Sequence, residues 1–327
     1  MSVCLSEWLS RLQDEYLAEY IPHGGAAVKV AITLPEDADV TKAAVTDIAR
    51  SGGFFVAEVD SSGTRIHLIQ EQFFAIARQV DWQSEIGRYL RRLFNRHGIS
   101  IAEDQPLDDI GGIAESNDRP QEDVFREMKS LVANEVLRDY HLCREFRTAM
   151  AHLCHAQIDP QSIAASDAEV IMQWLQGGSA SLTELKRLHI FSKIGRHNAR
   201  LMMRSLSVWQ HEMGYGGTVL ILDLHAILAE RCPSDNEPRY TRNSVLDTYE
   251  MLRTYIDDTD ELSYLILIAV IGYGFIDHPK LGQDIYTALK ARLVNEVHDR
   301  TRDNPLNAMV SLALCDDPGD DNANSPD

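Results

Sequence analysis

The sequence predicts an α/β fold, a three-layer parallel sheet carrying a large helical insertion, and three observations carry that prediction. Short apolar runs recur at Val28–Leu34, Phe54–Asp60, Thr218–Asp223 and 263–271. Helical patterns separate the runs, and strands joined through helices run parallel with helices on both faces. Between the second and third runs lies a long helical stretch, roughly 84–213, which is read as the insertion.

Each element has its own signal. Leu5, Trp8, Leu9, Leu12 and Tyr16 recur at helical spacing, so 5–20 is an amphipathic helix, broken by Pro22-His23-Gly24-Gly25. Val28–Leu34 is the first strand, and Val40–Arg50 a helix closed by Ser51-Gly52-Gly53. Phe54–Asp60 is the second strand and 66–79 an apolar helix. Polar segments at 100–120 and 157–166, and the pair Gly177-Gly178, interrupt the long helical stretch. The turn Gly214-Tyr215-Gly216-Gly217 leads into the third strand. A loop at 231–240, a helix at 241–257, the strand 263–271 and a helix at 283–300 follow. Ala308–Leu314 is apolar enough for a fifth strand. The expected organisation is therefore an N-terminal helix at 1–22, a core at 23–315 with its insertion, and a disordered acidic tail at 316–327.

The net charge of −19 over 327 residues makes the surface as a whole repel polyphosphate, nucleic acid and anionic lipid. Any nucleic-acid contact therefore needs a local basic face or a partner. The run Leu262 to Ile271 is too short to cross a bilayer and reads as a buried strand, so no membrane role is expected. Five scattered cysteines (Cys4, Cys143, Cys154, Cys232, Cys315), with no CxxC spacing and no signal peptide, fit a reducing cytoplasm.

The loop after the first strand, Leu34-Pro35-Glu36-Asp37-Ala38-Asp39, stands where many nucleotide-binding proteins hold phosphate on glycine-rich backbone. GxxxxGK[ST] is absent, and only Thr41-Lys42 echoes its Lys-Thr in reversed order. Glu36, Asp37 and Asp39 would repel triphosphate, each at a cost on the order of 1 kcal/mol or more at short range. A second landmark is an apolar strand ending in Asp and followed by Glu, the pair that supports Mg²⁺ and activates water. Here Leu224 follows Asp223. An α/β protein that never bound nucleotide is the plainer reading of both sites.

Longer blocks carry a resemblance over roughly 20–314: "GGAAVKV" before the first strand, "GGFFVAEVD" at the second, "WLQGG" at 174–178 and "NARLMMRSLSVWQHEMGYGGTVLILD" at 198–223. "SVLDTYEMLRTYIDD" at 244–258, "YLILIAVIGYGFID" at 264–277 and "LKARL" at 289–293 complete the series. In order and spacing these blocks resemble the P-loop ATP-binding proteins of bacterial BREX-type phage-defence systems, the BrxD-like family. That resemblance implies a P-loop NTPase-like, AAA-like core, nucleotide binding, and action beside helicase or DNA-modification partners. The departures fall on its chemistry, with "TLPEDADV" replacing the glycine loop and Asp223-Leu224 replacing the Asp-Glu pair.

The expectation that follows is a degenerate ATPase-like subunit, a scaffold or regulator beside an active ATPase paralogue, helicase or DNA-processing partner. It would be cytoplasmic, homo- or hetero-oligomeric and without a cofactor. On this view Asp223 and Arg292 are vestigial catalytic groups, and Thr41 and Lys42 vestigial nucleotide contacts. Arg292 resembles a sensor or finger position, against the plainer reading of an Arg paired to Asp or Glu, and Gly272 with Tyr273 resembles a polar strand exit. The reading also requires the Lys29 and Val219 segments to be adjacent in the sheet. One alternative is an ATP-binding protein or ATPase with an unconventional site, Lys42 or Arg292 replacing the lost lysine and Asp223 binding Mg²⁺. Another is a DNA-binding adaptor.

That adaptor would use two basic clusters. Arg88, Arg91, Arg92, Arg96 and His97 form the first; Lys186, Arg187, Lys193, Arg196, His197, Arg200 and Arg204 form the second. Lys193, Arg196, Arg200 and Arg204 are expected along one helical stripe, facing DNA or an acidic partner unless they pair with the chain's own carboxylates. His141, Glu145, Thr148, His152 and His155 share a helical spacing, but without HExxH or paired cysteines no metal is expected. Trp174, Trp209 and Tyr215 read as core, Trp209 on a stripe with Leu201, Met202 and Leu206. No Gly-x-Ser-x-Gly or other nucleophile motif is present.

Overall fold

The computed structural model describes residues 2–161, 165–228, 240–293 and 304–315. They fall into two compact units, Met1–His67 with Gly216–Asp327, and Leu68–Tyr215.

The chain starts with strand β1 (Val3–Cys4) and helix α1 (Leu5–Arg11), which widens into a π-helical run at Leu12–Tyr20. Strand β2 (Ala26–Thr33), helix α2 (Ala38–Ser51) and strand β3 (Phe55–Asp60) follow. The second unit then supplies α3 (Ile69–Ala77), α4 (Trp82–Arg96), α5 (Ile110–Ser116), α6 (Gln121–Leu131) and α7 (Arg144–Ile158). It closes with α8 (Ala165–Leu175), α9 (Leu182–Arg187) and α10 (Ala199–Glu212). Back in the first unit come β4 (Thr218–Asp223), α11 (Arg242–Asp257), β5 (Leu265–Gly272) and α12 (Gly274–Asp277). Helix α13 (Thr287–Leu293) and strand β6 (Met309–Ala313) end the described chain.

All six strands run parallel in the order β1-β6-β2-β5-β4-β3. Strands β4 and β5 are buried on both faces, which is why they read as continuous apolar runs. On one face, Trp8, Leu12 and Leu17 of the first helix and Val45 and Ala49 of α2 pack onto Val219, Ile221, Ile266 and Ile268. On the other, α11 lies against β2 and α13 against α11. This is the three-layer, P-loop NTPase-like architecture expected.

Several expectations need correction. Strand β5 separates β2 from β4, so the Lys29 and Val219 segments are not adjacent; both pair with β5 instead. The adjacency that the degenerate-ATPase reading required therefore fails, since hydropathy identifies strands but does not choose their neighbours. What remains is that Lys42, beyond β2, and Asp223, at the end of β4, meet at the sheet edge. The two-residue β1 has no sequence signal of its own, yet its register with β6 (Val3 opposite Leu312) brings Cys4 and Cys315 into a disulfide, Cα atoms 5.6 Å apart. Scattered spacing gave no hint of that pair, which runs against the reducing cytoplasm expected from the cysteines, where thiols are kept reduced. The expected helix 283–300 is a 3₁₀ turn at Gln283–Ile285 followed by α13, and residues 294–303 lie outside the described residues. So do Cys232, most of the 231–240 loop and the acidic tail.

In the Leu68–Tyr215 unit, Trp209 is buried, its ring 4.6 Å from that of Tyr89 and 6.3 Å from that of Phe146. Trp174 is buried too, but Leu201 is 52% exposed and leaves the expected Trp209 stripe. His141 precedes α7, so the expected His/Glu stripe is not one helical face. His152 Nε2 lies 3.0 Å from the Leu188 carbonyl, and burial pushes the imidazole of both His152 and His155 down. The basic stripe is also broken, since Lys193 and Arg196 precede the first residue of α10. There Asn198 ties the chain into a turn, its Oδ1 accepting the Gly195 N–H at 2.8 Å.

Candidate functional site

The site is built at the carboxyl edge of the sheet, where β2, β3 and β4 end and α2 begins. The alternation along parallel strands puts Glu58 of β3 and Asp223 of β4 on the face covered by α2. Lys42, in the second turn of α2, reaches back to that edge.

Its ammonium lies 2.7 Å from Asp223 Oδ2, 2.8 Å from Glu58 Oε1 and 3.0 Å from Asp39 Oδ1. An ammonium has three N–H donors, and three carboxylates take them. The Lys42 and Asp223 side chains are only 10% and 12% exposed, whereas Asp39 is open to solvent. Burial works against the charge on Lys42, but the hydrogen bonds to Asp223, Glu58 and Asp39 outweigh it and hold the ammonium far above its ordinary range. Burial likewise pushes the Asp223 carboxyl up, and hydrogen bonds from His225 and Lys42 overcome this and hold it well below the usual range.

Asp223 Oδ1 accepts from the His225 backbone N–H at 3.1 Å and from its ring Nδ1 at 3.0 Å. An ionised carboxylate can only accept, so Nδ1 carries a hydrogen, and Nε2 lies 3.3 Å from the Thr33 hydroxyl. Thr33, His225 and Asp223 thus form the order of a nucleophilic relay. Thr33 is 0% exposed, so no substrate carbonyl can approach its oxygen. The relay is structural. It ties the ends of β2 and β4 across β5, whose Gly272 lies so near the His225 ring that an added Cβ would stand 3.4 Å from Cδ2.

The loop ahead of α2 does not fit a triphosphate. Pro35 has no N–H to offer. A 3₁₀ turn at Pro35–Asp37 commits the Asp37 N–H to the Leu34 carbonyl at 3.1 Å and the Ala38 N–H to the Pro35 carbonyl. Backbone donors that a glycine-rich loop would aim at phosphate are thereby closed on themselves. Thr41 is buried, and Leu224 is buried where a water-activating carboxylate would stand. The Lys42 cluster itself sums to one positive and three negative charges, a poor receptor for an anion.

The sequence-predicted residues therefore divide. Lys42 and Asp223 meet, although 181 positions apart. Arg292 is engaged elsewhere, its Nε and Nη2 forking onto the two oxygens of Asp257 on α11 and its Nη1 donating to the Ala288 carbonyl at 2.9 Å. In the basic clusters, Arg91 donates to the Gly87 and Gln105 carbonyls, and Arg88 lies over the Tyr215 ring. Arg92 is exposed, its guanidinium against Gly214. Sequence reasoning missed Glu58 and His225. The outward Glu in an alternating edge strand and the His two residues after Asp223 were the available signals.

No curated protein and no solved structure matches the chain. Among the described residues no helix is long and apolar enough to cross a membrane. The family model described as "BREX system ATP-binding protein BrxC/D" matches residues 42–317. Its match begins at Lys42, so β2 and the Leu34–Asp39 loop lie ahead of it. The chain belongs to the BREX system ATP-binding protein BrxC/D family, which makes it a component of an anti-phage system that works with the other proteins of that system.

Proposed function

We propose that this chain is a non-catalytic member of its ATP-binding family, a scaffold or regulator beside an active ATPase, helicase or DNA-processing partner. The observation that carries the reading is the Lys42 cluster, in which the lysine that would grip phosphate has all three donors on carboxylates of its own chain. The closed 3₁₀ turn and Leu224 support it from either side. Losing both the phosphate cradle and the water-activating Glu costs orders of magnitude in hydrolysis rate.

Titration calorimetry of the full chain with ATP and Mg²⁺ tests this. The expected result is no saturable heat and no rise in melting temperature. Micromolar binding with turnover would end the reading. Co-purification from the native host tests the other half, with an intact P-loop paralogue or a helicase expected in the eluate.

One observation favours a second reading, an ATPase with an unconventional site: Lys42 and Asp223 still adjoin at the carboxyl edge of the sheet. On that reading Lys42→Ala and Asp223→Ala each abolish a measurable hydrolysis; on the first there is none to abolish.

A further inference from the structure

Some cations of this acidic protein are held by its own carboxylates and others are not. Among the described residues Arg119, Arg126, Lys129 and Arg187 of the Leu68–Tyr215 unit all reach carboxylates. Around the start of α7 four cations gather, Arg144, Arg147, Lys193 and Arg196, none in an ion pair among the described residues, although Arg147 Nη1 donates to the Asp139 carbonyl at 3.2 Å.

These cations stand beside two aromatic rings left in water. The Arg147 guanidinium lies 4.6 Å from the centroid of the Tyr140 ring, and that of Arg144 lies 5.0 Å from the centroid of Phe191. Tyr140 is 82% exposed and Phe191 45%. Arg144 and Arg147 are three apart on α7, so the two ring–cation pairs adjoin. Phe191 shares its connecting segment with Lys193 and Arg196, both exposed. That segment is fixed in place: Trp174 donates to the Ser192 carbonyl at 3.1 Å, and Asn198 Nδ2 to the Lys193 carbonyl at 3.2 Å.

Residues 138–147 carry three Arg against Asp139 and Glu145, and residues 190–200 carry Lys193, Arg196 and Arg200 with no carboxylate. Asp139 is partly committed, its Oδ1 accepting the His141 N–H at 2.8 Å. The local balance is positive on a protein of net charge −19.

The geometry points to a single-stranded nucleic-acid site on this face, with Tyr140 and Phe191 stacking on bases and Arg144, Arg147, Lys193 and Arg196 tracking the backbone. Unpaired bases offer flat π-faces to exposed rings, and phosphates supply the charge that the cations lack. A duplex hides its base faces, and a purely acidic polypeptide such as polyglutamate has the charge without the rings. The site is independent of the sheet-edge cluster and stands whether or not nucleotide binds there.

Fluorescence anisotropy of the full chain with a labelled oligothymidylate of about 15 nucleotides tests it, against a duplex of equal length. Saturable binding is expected at ~50 mM salt, falling steeply toward ~200 mM, and stronger for the single strand. Tyr140→Ala and Phe191→Ala should each weaken binding about tenfold without altering the salt slope, and Tyr140→Phe should retain it. Arg144→Glu with Arg196→Glu should weaken it further and flatten the slope. Melting temperatures equal to the parent protein's confirm that these exposed substitutions leave the fold intact. No saturable binding at low salt, equal affinity for duplex with no effect of the alanine variants, or competition by polyglutamate as strong as by oligothymidylate would each overturn the proposal. The last outcome would mark an acidic protein as the partner.

Discussion

Lys42 and Asp223 illustrate how a buried pair is worth most when one half is removed. Lys42→Met would leave Asp223 buried beside Glu58 with no cation, at a cost of about 3 kcal/mol, read as a lower urea midpoint. Replacing both, as Lys42→Met with Asp223→Leu, should recover most of that loss, since an apolar pair needs no desolvation. A single substitution costing under ~0.5 kcal/mol would show the cluster to be no tighter than a surface pair. Acid should find the same spot. The Asp223 carboxyl is depressed in the folded chain, so its contribution is complete above its unfolded value of 3.8 and is lost as pH falls below it. Urea midpoints measured downward from pH ~5 should therefore drop, and Asp223→Asn should flatten that limb. At this scale motif spacing picked out Lys42 and Asp223 as a pair of landmarks, but not Glu58 or His225. Those two join the cluster through strand register and a tight turn, which a linear pattern does not encode.

Elements show the same division between what periodicity fixes and what it leaves open. Strands β4 and β5 were legible because burial on both faces demands unbroken apolar runs. The place of β5 between β2 and β4 was not, because neighbour choice depends on how crossovers close. The basic stripe failed for a local reason: helical counting ran through Gly195–Asn198, where the chain is a turn closed by the Gly195 N–H donating to Asn198 Oδ1. Glycines separate two kinds of constraint. Gly217 opens β4 at φ +149, and a Cβ there would meet the Tyr264 carbonyl and Ile21 Cγ2, each at 2.8 Å. Gly53, at φ +76, has nothing within 4 Å. Gly217→Ala should therefore cost about 2 kcal/mol or more, from clash as well as backbone strain. Gly53→Ala should cost about 1 kcal/mol from strain alone. Equal urea midpoints for the two variants would contradict the close approach at β4.

For the whole molecule, charge is unevenly shared. Residues 68–215 hold 17 Lys and Arg against 20 Asp and Glu, so most of the net −19 resides in the sheet-bearing unit. The 68–215 segment also has its own aromatic core around Trp209. Excised at those bounds, it should give a helical far-UV spectrum, unfold cooperatively and leave an anion exchanger at lower salt than the full chain. A non-cooperative melt would show that its core depends on the sheet-bearing unit. Composition alone gave the total charge but not this partition, since the boundary depends on which helices share a core.

The bond between Cys4 and Cys315 spans 311 positions of sequence and turns the intervening polypeptide into a ring. However far the chain extends beyond either cysteine, a protease-associated unfoldase pulling on it would have to thread two strands abreast instead of one. Until that link is reduced, degradation machinery that admits a single strand would stall at it.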